Sequence, residues 1–73
     1  MTLMEFNVLD PYFKEEFIIN HTDFLKNTNH IWLSKSDFAF FVWNDKTGEV
    51  THFSNLQKAE KKFETLTKKE RDK

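Results

Sequence analysis

Between Asp37 and Asn44 the chain reads DFAFFVWN, in which six consecutive residues are apolar and four of those are aromatic. A β-strand sends successive side chains to opposite faces. Phe38, Phe40 and Val42 therefore share one face, and Ala39, Phe41 and Trp43 share the other. A strand with one wet face alternates apolar with polar residues, and this segment does not. It needs cover on both faces, either from the rest of the chain or from a partner. Three full-sized side chains favour Phe38, Phe40 and Val42 as the inner set, which leaves Phe41 and Trp43 on the outer face.

The rest of the chain has little material for that cover. With 73 residues it makes one domain, and a domain of that size buries only about 60% of its unfolded surface. The sequence has no cysteine, so neither disulfides nor thiolate metal sites reinforce it. Nine Phe and two Trp supply the apolar area instead.

Periodicity predicts the elements. Met4, Phe6 and Val8 alternate with Glu5 and Asn7, which reads as a short strand over Leu3 to Val8. Asp10-Pro11 is a helix start. Phe13, Phe17, His21 and Phe24 then recur at helical spacing, predicting an amphipathic helix over about residues 11 to 27. His30 to Leu33 reads as a strand, followed by turn residues and the DFAFFVWN strand. The only glycine, Gly48, lies in Asn44 to Glu49, where a hairpin must reverse before Val50 to Phe53 returns. Ser54-Asn55-Leu56-Gln57 fits a capping box with Ser54 as the cap. Leu56, Ala59, Phe63 and Leu66 form the apolar seam of a last helix, and KKERDK beyond Thr67 has nothing to anchor it. These elements predict an α+β domain over residues 1–67 with a frayed tail at 68–73. The order is β-α-β-β-β-α, with a three- or four-stranded, mainly antiparallel sheet and two helices packed on one face.

Chemistry-bearing patterns are sparse. The chain lacks a Gly-rich phosphate loop, a His-Glu-X-X-His helix and a Gly-X-Ser-X-Gly elbow. His21, His30 and His52 have no metal-ligand spacing. The sequence thus points away from an enzyme and implies no cofactor, no metal and no catalytic residue. No apolar run approaches the ~18 residues of a membrane span, and the acidic amino terminus is unlike a signal peptide. The expected setting is cytoplasmic. Abundant Phe, Asn, Lys and Ile suit AT-rich coding DNA, such as that of a phage or mobile element.

Two binding readings remain. The first is a small protein-interaction module, an inhibitor or regulator of a larger protein or a homodimer. It would use Trp32, Phe41 and Trp43 on the sheet together with the acids Glu15, Glu16 and Asp23. The alternative is single-stranded nucleic-acid binding by sheet aromatics and the basic last helix, through Lys58, Lys61, Lys62 and Lys69. Charge is uneven in a way that bears on both. Residues 1–53 hold four Lys and eight acids, a net of −4, whereas residues 54–73 hold seven Lys or Arg and four acids, a net of +3. An overall charge of −1 weighs against a general nucleic-acid binder.

Overall fold

A computed structural model describes residues 2–71. Its elements are α1 (Leu3–Asn7), α2 (Pro11–His21), β1 (Asp23–Thr28), β2 (Ile31–Lys35), β3 (Phe40–Asn44), β4 (Val50–Phe53) and α3 (Leu56–Arg71). The four strands form one antiparallel meander in the order β1-β2-β3-β4, so the chain is the expected small α+β domain.

The two apolar faces of β3 explain the architecture. Phe41 and Trp43, with Ala39, pack beneath α1 and α2 against Phe6 and Ile18. Val42 packs beneath α3 with Ile31, Leu33, Ala59 and Phe63, and Phe40 and Phe53 border that cluster. The helices thus divide between the two faces, where sequence had placed both on one. A sheet whose central strand is apolar on both sides needs two lids. Register agrees with this division. Leu33 lies opposite Val42 on the α3 side, and Trp32 lies opposite Trp43 on the α2 side. Phe38 departs from strand parity because it precedes β3; its ring joins Phe6, Phe17 and Phe41 at centroid distances of 6.3, 5.7 and 5.7 Å.

Four local predictions need correction. Leu3 to Val8 is helical over Leu3–Asn7, not extended. Thr2 Oγ1 accepts from the Glu5 N–H at 3.3 Å and Glu5 Oε1 accepts from the Thr2 N–H at 3.2 Å, a reciprocal capping box. Helix α2 stops at His21 rather than near residue 27, because Thr22 is already extended. Phe24 enters β1 instead, and its ring lies 5.0 Å from Trp32 and 6.4 Å from Trp43. The cap of α3 is Asn55, not Ser54, since Asn55 Oδ1 accepts from the Lys58 N–H at 2.9 Å. The helix then continues past the expected end at Thr67, whose side chain is buried, to Arg71; residues 72–73 of the expected tail lie outside the described residues.

The hairpins carry the positive backbone angles. Gly48 has φ +81° and donates its N–H to Asn44 O at 2.8 Å, while Asn44 Oδ1 accepts from the N–H groups of Lys46 and Thr47. Asn29, at the β1–β2 reversal, has φ +54°, a region that Asn tolerates better than most residues.

Candidate functional site

The aromatic strand is an interior element. Phe41 has no exposed surface and Trp43 retains 6%, so neither is available to a protein or a base. This corrects their assignment as contact residues: α1 and α2 already occupy the face that a partner would have covered. Trp32 is only half-buried, but its Nε1 donates to Asp45 Oδ2 at 2.8 Å. Its ring also lies beside Trp43, tilted by 33° with centroids 6.1 Å apart. The three residues do meet in space, as part of the core and its border.

Covering the sheet moves apolar surface outward onto the lid. Met4 and Val8 are 79% exposed, Tyr12 70%, Ile19 52% and Phe13 51%. On α2 the 100° step per residue turns Ile18 to the sheet and carries Tyr12, Phe13, Glu16 and Ile19 away from it. Sequence had placed Phe13 on the buried stripe. The helix carries large apolar residues nearly all round, so periodicity could not select the buried side. Tyr12 and Phe13 meet edge to face at 5.4 Å.

Two shallow cavities run along this lid. One, of ≈ 240 Å³, is lined by Leu9, Phe13, Glu16, Phe17, Asn20 and His21. The other, of ≈ 220 Å³, shares Phe17 and His21 and extends to Ser36, Asp37 and Phe38. Each has an aromatic floor and one carboxylate, Glu16 or Asp37, and no lysine lines either.

The three acids expected to act together are dispersed. Glu16 is exposed and lines the first cavity. Glu15 turns toward the β3–β4 hairpin, where its Oε1 lies 2.6 Å from the position a Cβ would take on Gly48. Asp23 opens β1 opposite Lys35, on the strand face opposite to that of Phe24.

The lysines are better gathered. Lys58, Lys61 and Lys62 line a groove of ≈ 300 Å³ with Phe53 and Thr65, on the α3 face of the sheet. Lys69 is exposed two turns further along the same helix. Phe53 was not singled out by sequence, although its place at the end of β4, three residues before α3 begins, is the signal that would have found it.

A last cluster, also missed, surrounds Asp45. Its Oδ1 lies 2.7 Å from His30 Nδ1 while Oδ2 accepts from Trp32, and its N–H donates to His30 O at 2.9 Å. A carboxylate orienting an imidazole supplies two of the three members of a nucleophilic triad. Here its second oxygen is committed to an indole, and the arrangement ties the β1–β2 reversal to the end of β3.

Comparison with protein-family models, with curated protein sequences and with solved structures finds no match. No helix among the described residues is long and apolar enough to cross a membrane.

Proposed function

We propose that this chain is a non-enzymatic protein-interaction module whose contact surface is the outer side of the α1–α2 lid. The observation that carries this reading is the exposure of Met4, Val8, Tyr12, Phe13 and Ile19 on one lid of so small a domain. Single exposed apolar residues are ordinary, but aromatic and aliphatic groups concentrated on one lid characterise association surfaces. The Glu16 and Asp37 carboxylates beside the two cavities define the complement. The partner is a protein presenting an apolar anchor flanked by lysine or arginine, and the module acts as a regulator or inhibitor by occupying that surface.

The test is photo-crosslinking from position 12, with position 57 on α3 as the control. The expected result is a discrete adduct from position 12 that disappears in Phe13→Ser while the far-ultraviolet dichroism is unchanged. Adducts of equal yield from both positions would sink the reading. Adducts only to a second copy, with a solution mass that rises with concentration, would replace the heterologous partner by a homodimer.

A further inference from the structure

We infer that the groove between β4 and α3 is a second, independent site that binds single-stranded nucleic acid, with Phe53 as the platform for a base and the α3 lysines as the track for phosphates. The groove has a volume of ≈ 300 Å³, and its lining comprises one aromatic ring, three lysines and Thr65. This pairs a π-face with cations on one rim, the combination by which sequence-tolerant single-strand sites work. Phe53 is half-buried and packed against the cluster that includes Val42 and Phe63. Its ring is therefore held in place before any ligand arrives. The groove also lies at the β4 margin of the sheet, an edge with no further strand among the described residues.

Helical geometry sorts the charges of α3. Lys58, Lys61, Lys62, Thr65, Lys68 and Lys69 recur at three and four and share one stripe. Glu60 and Glu64 fall on another flank, where Glu60 meets Lys26 of β1 at 3.5 Å. Glu60 therefore points away from the groove-lining Lys58 and Lys62, while Glu64 borders the far edge of the stripe, three residues after Lys61 and four before Lys68. Glu16 and the other acid-lined surface of α2 lie beyond the sheet, on its opposite side. Exposed charges at such separations are strongly screened at physiological salt, where the Debye length is about 8 Å.

The stripe also discriminates between ligands. Its cations repeat with each helical turn of about 5.4 Å, which suits a polyanion with regularly spaced charges, one per nucleotide. An acidic peptide would match it only with carboxylates at a similarly regular interval.

Fluorescence anisotropy of the whole chain with a labelled oligothymidylate of about twelve nucleotides tests the inference. Matched arms use a duplex of equal length and polyglutamate as competitor. Binding at low salt is expected, with log affinity falling by about 0.7 per phosphate neutralised for each unit of log salt. Lys61→Gln with Lys62→Gln should flatten that slope by about 1.4. Phe53→Leu should weaken binding about fivefold or more and leave the slope unchanged. The lysine pair carries the test alone if Phe53→Leu does not fold. Phe13→Ser should change nothing, which separates this site from the lid. No binding at low salt, an unaltered slope in the lysine variant, or equal displacement by polyglutamate would each overturn the inference. Tighter binding to the duplex would do so as well.

Discussion

The indole of Trp32 and the carboxylate of Asp45 are joined by a 2.8 Å hydrogen bond that spans the ends of β2 and β3. The same carboxylate holds His30 at 2.7 Å, so one side chain fixes two others that border the β1–β2 reversal. Charge-assisted hydrogen bonds are stronger than neutral ones, but the His30 and Asp45 side chains are 52% and 30% exposed and water competes for them. Asp45→Ala should therefore cost about 1 kcal/mol, read as a lower urea midpoint with unchanged m-value. Asp45→Asn, which can still accept from the indole, should recover part of that loss.

Gly48 and Glu15 permit a cleaner separation of causes. An alanine at position 48 would have to hold φ at +81° and place its Cβ 2.6 Å from Glu15 Oε1. The carboxylate is the free end of a flexible side chain and can swing away, whereas the backbone angle cannot relax without opening the hairpin. Gly48→Ala should thus destabilise by about 1–2 kcal/mol through backbone strain. Adding Glu15→Ala should restore less than about 0.5 kcal/mol of it. Full rescue in the double variant would show the contact, not the angle, to be the cause.

Ser34 is buried on β2 opposite Phe41, and its Oγ has no hydrogen-bond partner among the described residues. An unpaired buried hydroxyl costs about 1–3 kcal/mol by the measure of protein substitutions. Ser34→Ala should consequently stabilise the fold by about 1 kcal/mol, seen as a raised thermal midpoint. Its cross-strand neighbour responds in the opposite sense: Phe41→Ala should cost about 3–5 kcal/mol, enough to populate unfolded chains in a domain of this size.

How much of this was legible before the structure follows from which signals were unambiguous. The Gly48 hairpin was readable because a lone glycine between two apolar runs leaves few alternatives. The α3 seam was readable because Ala59, Phe63 and Leu66 stand out against lysine and glutamate. The doubly apolar β3 strand also announced its need for two covers, but not who supplies them. Phe6 in six alternating residues fits a strand as well as a short helix, and Phe24 fits the stripe of α2 as well as a place beside Trp32. Both ambiguities were resolved by tertiary packing, which buries Phe6 against Phe17 and Phe41 at centroid distances of 5.6 and 4.7 Å. The placing of Phe41 and Trp43 on an outer face failed for the same reason: α1 and α2 cover both, and periodicity alone does not say which face a helix will take.

The start of α3 gives a prediction in which adjacent residues answer differently. Ser54 and Asn55 are both good caps by type, yet only Asn55 Oδ1 accepts a first-turn N–H, that of Lys58 at 2.9 Å. Its backbone carbonyl also accepts from Ala59 at 3.3 Å, so Asn55 holds the residue that seats α3 against the sheet. Removing the side-chain acceptor leaves one amide of the first turn to water. Asn55→Ala should therefore cost about 1 kcal/mol and accelerate hydrogen exchange in the first turn of α3. Ser54→Ala should stay within about 0.5 kcal/mol of the parent. An equal loss from both substitutions in matched urea titrations would show that Ser54 contributes to the cap as much as Asn55, against the assignment to Asn55 alone.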